Sequence, residues 1–179
     1  MVPVSTLIDF ICLILENFDL KKDYLLQSGV TIYKTYKISF NVYFTKFVHT
    51  NTHVFQNIIH LTVTGKSCCE SGDRIVGIWI KPNTNPNFLR LYVANEMNGN
   101  PNTVNLIQTY PLYQWIQVSI SQTMQDGVYS FVVTIDGNVE LEIQNTQPQV
   151  FRDVSVYAAN PWDNAVAGKI QNIKIESDQ

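Results

Sequence analysis

The feature that most constrains this chain is a period-two alternation of apolar and polar residues, interrupted by short turns. Residues 128–136 show it most clearly, with one apolar face formed by Tyr129, Phe131, Val133 and Ile135. Asp136-Gly137 follows, and both positions tolerate the positive φ that a type I′ hairpin turn requires. Alternation of this kind is typical of strands with one buried face. The pattern therefore predicts antiparallel sheets joined by tight turns.

The same period recurs through most of the sequence. It predicts a strand over residues 36–45, and residues 75–80 are apolar on both faces, as expected for a central strand that is covered on each side. Ile170 is out of phase with Ile173, which predicts a bulge. Residues 5–16 could form a short capped helix, but we expect a strand there. The Asn-, Gly- and Pro-rich residues 95–105 predict the longest loop.

These elements predict an all-β fold, an antiparallel two-sheet sandwich. The 179 residues are 45% hydrophobic, which suits one domain over residues 1–179 that buries roughly 70% of its unfolded surface. Only 15% of the residues are charged, compared with about 25% in an average soluble protein. Lys and Arg are scattered and the net charge is −3, so we expect no nucleic-acid partner.

An apolar run over residues 6–15 is too short to cross a bilayer, and no later segment approaches the ~20 apolar residues of a spanning helix. Asp9 interrupts the run and no basic residue precedes it, so we interpret it as part of the fold and not as a signal peptide. Because a leader peptide could have been removed, the sequence does not determine the cellular compartment.

Three cysteines cannot all pair within one chain, and we expect either Cys12 bonded to Cys68 or Cys69, or three free thiols.

The last third of the chain resembles a known group of domains. A Trp115-led strand, the Asp136-Gly137 hairpin, the loop Asn160-Pro161-Trp162 and the final strand over 168–175 carry the resemblance. A second block is similar as well, and it comprises residues 57–62, Cys68-Cys69, Gly72-Asp73-Arg74 and Ile78-Trp79. Over residues 36–176 the chain thus resembles laminin-G-like, concanavalin A-like domains, most of all those of secreted invertebrate proteins. The resemblance implies a jelly-roll sandwich whose end strands are neighbours. It also implies that glycans, proteins or lipids bind the concave face or rim loops, often with calcium.

A candidate ligand face follows from the outward phase of the strands. This phase carries aromatic side chains with one arginine and one histidine, and its members are Tyr43, His60, Trp79, Phe88, Arg90 and Tyr92. Such a set suits sugar binding, because C–H faces of a pyranose pack on aromatic rings while polar groups fix the hydroxyls. The alternative is that loops or a second subunit cover the same side chains.

Three oxygen-bearing residues in loops are candidate calcium ligands: Asp73, Asp163 and Asn164. They lack the spacing of an EF-hand, so the alternative is that each forms a turn. Trp162, beside the final strand, is expected to be a structural plug under its loop. His49 and His53 lie in a Thr/Asn loop, where their spacing of four brings no convergence on a metal.

Glu140 and Glu142 form a close carboxylate pair on one strand, about 6.6 Å apart along it. No third acidic residue precedes them in the spacing of the glucanases that share this sandwich, so a solvated face is the better interpretation. The sequence therefore predicts a non-enzymatic extracellular module that binds a carbohydrate or glycoprotein. The alternatives are a structural, self-assembling matrix protein or homo-oligomer using the same aromatic face, and, more remotely, a glycoside hydrolase.

Overall fold

A computed structural model describes residues 8–14, 16–47 and 55–178, the first range by its backbone. Within these ranges the chain forms strands and no helix, as the alternation predicts. The strands are β1 Ile8–Ile14, β2 Phe18–Asp19, β3 Leu25–Ile32, β4 Thr35–Lys46, β5 Gln56–Thr62, β6 Val76–Pro82, β7 Phe88–Met97, β8 Asn100–Pro111, β9 Trp115–Gln125, β10 Val128–Ile135, β11 Asn138–Asn145, β12 Phe151–Tyr157, β13 Asn164–Ala165 and β14 Ala167–Asp178.

The strands build two sheets whose long ladders are antiparallel. The first sheet runs β1-β14-β4-β9-β10-β11 with β2 beside β14, and the second runs β3-β12-β5-β6-β7-β8 with β13 beside β5. The short pairing of β13 with β5 is parallel. Strands β1 and β14 are neighbours, as the resemblance implies. The predicted all-β, two-sheet jelly-roll sandwich is confirmed.

The core lies where the apolar faces of the two sheets meet. Phe40 of β4 and Phe131 of β10 enter it from the first sheet, and Ile78 of β6 enters it from the second, all fully buried. Removal of apolar surface from water at about 25 cal/mol per Å² is the main force that holds such layers together.

Strand β6 is buried on both faces, as the sequence predicts. Ile78 faces the core, while Trp79 faces outward and is only 4% exposed. The indole of Trp79 donates a hydrogen bond to Asp163, so the loop between β12 and β14 is the cover that the double-sided apolar pattern requires.

Two local predictions are confirmed by backbone geometry. Asp136 and Gly137 adopt φ values of 50° and 82° between β10 and β11. The ladder of β14 with β4 shifts register between Gln171 and Lys174, with Asn172 at φ 55°, which is the predicted bulge.

The prediction of a long loop over residues 95–105 is wrong. β7 continues to Met97 and β8 starts at Asn100, so only the Asn98-Gly99 turn separates the two strands. Both turn residues have positive φ, 53° and 75°. Asn and Gly tolerate this conformation, and the asparagines that follow lie within β8, an edge strand of the second sheet.

Strand β1 and the cysteines test two further predictions. The strand expected within residues 5–16 is present as β1 over the described residues 8–14. The structure joins Cys68 to Cys69 in a disulfide across a cis peptide bond, which corrects the expectation that Cys12 pairs with one of them or that all three are free. The side chain of Cys12 lies outside the described residues. Within the described part of the chain, no helix is long and apolar enough to span a membrane.

Candidate ligand-binding site

The candidate site lies on the outer face of the second sheet, where β6 and β7 pair. Alternation turns Ile78 and Leu91 toward the core and therefore turns Trp79, Lys81, Arg90 and Tyr92 outward. The antiparallel register sets Trp79 opposite Tyr92 and Lys81 opposite Arg90. Two aromatic side chains and two cations are thus adjacent on one surface.

A cleft of about 240 Å³ opens on this surface. Its walls come from β6, β7 and β8 and from the segments that precede β5, β6 and β13. The lining residues are Phe55, Arg74, Trp79, Tyr92, Ala94, Asn102, Val104 and Asp163. Aromatic surface and polar groups therefore meet in one concave place, as in most small-molecule sites.

Trp79 forms the floor of the cleft and is not an exposed stacking surface. Its Nε1 donates to Asp163 Oδ2 at 2.7 Å, and its ring meets His60 edge-on at 5.3 Å between centroids. The ring also lies over Gly77, where a Cβ atom would overlap the indole. Glycine at position 77 thus makes room for the indole to lie flat on the sheet.

Arg74 forms one wall. Its guanidinium carbon lies 4.6 Å from the centre of the Trp79 ring, Nε donates to Ser67 O at 2.8 Å, and Nη1 donates to Asn102 Oδ1 at 2.6 Å. Partial burial lowers the pKa of Arg74 from its ordinary value, but the guanidinium stays charged at neutral pH. A positive charge is therefore fixed in the cleft by neutral partners.

Phe55, Tyr92 and Lys81 form the opposite rim. The rings of Phe55 and Tyr92 meet edge-to-face at 5.5 Å. Lys81 Nζ lies 3.8 Å from the centre of the Phe55 ring and 5.3 Å from that of Tyr92, so cation–π attraction holds its ammonium group beside the cleft.

His60 lies beneath the covering loop in a fully buried polar network. Its Nε2 contacts the carbonyl oxygen of Asp73 at 2.7 Å, and its Nδ1 contacts Asn160 Nδ2 at 2.9 Å. Asn160 Oδ1 accepts from the backbone N–H groups of Trp162 and Asp163, which fixes the orientation of the amide. His60 must therefore donate from Nε2 and accept at Nδ1, which is the neutral form. Burial lowers the pKa of His60 to about 4.

The structure places the six predicted ligand residues in three different situations. Trp79, Phe88, Arg90 and Tyr92 share the outer face of the second sheet, although only Trp79 and Tyr92 of these four line the cleft. The inclusion of Tyr43 in the same platform is wrong, because Tyr43 is in β4 of the first sheet and packs on Trp115 at 5.4 Å.

His60 is correctly assigned to the outward phase, but it does not reach a ligand because it is fully buried. His60 and Trp79 therefore agree with the alternative interpretation, in which a loop covers the outward side chains. Trp162 supplies part of that cover, since its ring packs against His60 at 5.5 Å and Tyr157 at 6.0 Å, as expected of a plug.

The three candidate calcium ligands are engaged in separate contacts. The Asp73 carboxylate accepts from the Thr64 hydroxyl and from the backbone N–H of Glu70. Although burial acts in the opposite direction, these hydrogen bonds lower the pKa of Asp73 below its ordinary value. Asp163 accepts from Trp79 and Asn160, and Asn164 is in β13. Within the described ranges no group of three or more His, Cys, Asp or Glu could hold a metal ion. The contacts of Asp73 and Asp163 favour the turn-forming role.

The carboxylate pair does not line the cleft. Glu140 and Glu142 belong to β11, an edge strand of the first sheet, where Glu140 interacts with Tyr110 of β8, whereas the cleft is on the outer face of the second sheet. His49 and His53 lie outside the described residues.

Sequence reasoning missed Phe55, Arg74, Lys81 and Asn102. Lys81 continues the outward phase of Trp79 and could have been included by extending the predicted strand over 75–80 by one residue. Arg74 stands in the Gly72-Asp73-Arg74 block that carries the resemblance. Asn102 gave no local signal, because its part in the site depends on the pairing of β8 with β7.

No family model matches the sequence, and neither does any of the curated proteins compared. Several solved structures share the fold. The Emp47p carbohydrate recognition domain has a TM-score of 0.54 and 8% identity over 94% of this chain and 87% of that one. An alginate lyase from Alteromonas sp. 272 has a TM-score of 0.53 and 11% identity over 100% and 90%. A polysaccharide lyase of family 18 has a TM-score of 0.51 and 12% identity over 100% and 91%. At these identities the likeness establishes the sandwich fold alone.

Proposed function

We propose that this chain is a non-catalytic carbohydrate- or glycoprotein-binding domain that acts outside the cell and holds a saccharide in the outer-face cleft. The observation that carries the proposal is the composition of the cleft. Two half-buried aromatic side chains, Tyr92 and Phe55, line a cleft of about 240 Å³. The guanidinium of Arg74, the amide of Asn102 and the carboxylate of Asp163 line the same cleft.

The aromatic part of the cleft suits the apolar face of a sugar ring. Tyr92 and Phe55 are both partly exposed, their rings meet edge-to-face, and both residues line the cleft. Sugar C–H groups carry partial positive charge, which the negative face of an aromatic ring attracts.

The polar part suits hydroxyl groups. Arg74 and Asn102 are already hydrogen-bonded to each other, and Asp163 is held by Trp79 and Asn160. Side chains fixed in this way lose little conformational freedom when a ligand binds, so each hydrogen bond to a hydroxyl costs less entropy.

Two of the structural neighbours give this proposal its context at the level of the fold. One is a carbohydrate recognition domain and the other is an alginate lyase, so the sandwich serves both binding and cleavage of saccharides. We favour binding for this chain because the only close strand carboxylates singled out in the sequence, Glu140 and Glu142, are on the other sheet.

Substitution of Tyr92 tests the proposal. We expect Tyr92→Ala to weaken binding of a saccharide identified on a glycan array by about tenfold or more, because the ring is lost from the cleft while the core is untouched. Trp79→Ala is a poorer test, because Trp79 is buried and its loss would disturb the floor. Isothermal titration calorimetry measures the affinity, and thermal unfolding reports on the fold.

Tyr43→Ala is the matched control, since Tyr43 has a similar environment on the other sheet, and it should bind as the parent does. Equal affinity of the Tyr92→Ala protein, or sugar release from a polysaccharide panel by the parent protein, would contradict the proposal.

A second candidate function is self-assembly through the same face. Val104 and Leu106 are 49% and 54% exposed on β8, an edge strand, and Leu106 stands opposite Tyr92. An apolar edge of this kind favours pairing with another chain. If Tyr92→Ala converts an oligomer into monomers and no saccharide binds, assembly is the function.

A further inference from the structure

We infer that the saccharide recognised by this cleft is anionic, with carboxylate or sulfate groups that bind Arg74, Lys81 and Arg90. The inference rests on the proposed carbohydrate-binding function and specifies the chemical class of its ligand.

The first observation is the opposition of two cations. Lys81 and Arg90 are directly opposite in the antiparallel ladder and share the outer face. Like charges in that position destabilise a sheet. In the described part of the chain the ion pairs join Lys66 to Glu70 and Lys174 to Glu176, so neither Lys81 nor Arg90 has a carboxylate partner there. An anion placed between them would relieve the repulsion.

The second observation is the environment of Arg74. Its guanidinium is partly buried, and its contacts are a carbonyl oxygen, an amide oxygen and an indole ring. The charges of Asp163 and Asp73 partly offset the cost of this burial, but neither carboxylate joins Arg74 in the ion pairs of the described residues. A bidentate contact with a carboxylate or sulfate is the geometry that guanidinium groups prefer.

The third observation concerns the negative charge at the site. Asp163 is the carboxylate among the cleft residues, and Trp79 Nε1 and Asn160 Nδ2 donate to its Oδ2 at 2.7 and 3.0 Å. Asp163 and Arg74 form no ion pair within 4.0 Å. The outer face therefore carries Arg74 in the cleft, Lys81 at its rim and Arg90 opposite Lys81, against one carboxylate among the cleft residues, although the whole chain has a net charge of −3.

The cations also flank the aromatic rings. Lys81 follows Trp79 by two residues and Arg90 precedes Tyr92 by two, which separates the Cα atoms of each pair by about 6.6 Å along the strand. Arg74 lies on the other side, over Trp79. A saccharide chain with charges on separate units could pack one ring on Tyr92 and present anions at both ends.

Paired ligands test the inference. The probes are an oligogalacturonate with its fully methyl-esterified form, a heparin oligosaccharide with its desulfated form, and a neutral galactan oligosaccharide. We expect at least one of the two, the oligogalacturonate or the heparin oligosaccharide, to bind about tenfold more tightly in calorimetry than its counterpart from which the carboxylate or sulfate charge has been removed. Its affinity should fall as NaCl is raised from 0.05 to about 1 M, because the Debye length shortens to about 3 Å. Preference within the two pairs identifies carboxylate or sulfate as the anion.

Charge substitutions supply the second readout. Lys81→Met and Arg90→Met keep the aliphatic stems, and we expect each to weaken binding of the charged ligand about three- to tenfold and to reduce its salt dependence. Lys81→Arg should retain most of the affinity. Lys37→Met removes a cation from the first sheet and should change nothing.

The two proposals fail in different ways. If the members of each pair and the neutral galactan bind equally, if Lys81→Met and Arg90→Met leave affinity unchanged, and if Tyr92→Ala still abolishes binding, the carbohydrate function stands and the anionic ligand class is overturned. If none of the five probes and no arrayed glycan binds, both are overturned.

Discussion

His60 is the residue whose protonation state the fold fixes most firmly. It donates to the Asp73 carbonyl and accepts from Asn160, and burial, with Arg74 nearby, lowers its pKa to about 4 despite the opposing charges of Asp163 and Asp73. In the unfolded chain the same imidazole has a pKa near 6.5. Between these values the unfolded state binds a proton that the native state does not, so stability decreases as the pH falls.

We therefore expect the free energy of unfolding to lose about 3 kcal/mol from this group between pH 7 and pH 4. Urea titrations of the parent protein and His60→Gln measure it, because other titrating groups largely cancel in the difference between the two. The advantage of the parent should shrink by that amount toward pH 4. A difference that is constant with pH contradicts the prediction, and so does an NMR titration of the native protein in which the His60 ring protonates above pH 5.

At the scale of single elements, β14 depends on close approach to β4. A Cβ atom at Gly168 would overlap the carbonyl oxygen of Tyr43, and the ladder is irregular between Ala167 and Gly168. Because the obstacle is backbone and not the end of a flexible side chain, it cannot move aside without disturbing the pairing.

We expect Gly168→Ala to destabilise the protein by about 1–3 kcal/mol, the range for overpacking. Urea denaturation should show a lower midpoint with an unchanged slope. Lys169→Ala, at the exposed next position, is the matched control and should stay within about 0.5 kcal/mol of the parent. Equal stability of Gly168→Ala and the parent would show that the two strands separate more easily than the structure indicates.

At the scale of the whole molecule, many ladders join segments that are far apart in the sequence. β4 pairs with β14, and β3 pairs with β12. The entropy of closing these long loops is lost before the pairing stabilises the chain, which slows folding.

We expect refolding from urea to take milliseconds to seconds, as for other sheet proteins rich in non-local pairing. Stopped-flow fluorescence of the three tryptophans measures it, and Trp79 and Trp162 report on closure of the loop over the second sheet. Completion of the main phase within microseconds would contradict the expectation.

Local patterns in the sequence determined most of the elements. The Asp136-Gly137 hairpin, the bulge near Asn172 and the double-sided burial of β6 were all predictable, because each depends on side-chain period or on the φ preference of one or two residues. The loop expected over 95–105 failed for a related reason, since Asn and Gly suit a two-residue turn as well as a long loop.

Only the tertiary structure decided which outward side chains share a surface. Strand parity assigns a residue to a face but does not say which sheet its strand joins, so Tyr43 was grouped with Trp79 although the two belong to different sheets. Strand parity also does not show whether a loop covers an outward side chain, and here the Asn160–Asp163 loop buries His60 and Trp79. The cleft takes Arg74, Asn102 and Asp163 from distant segments, and long-range strand pairing alone brings them together.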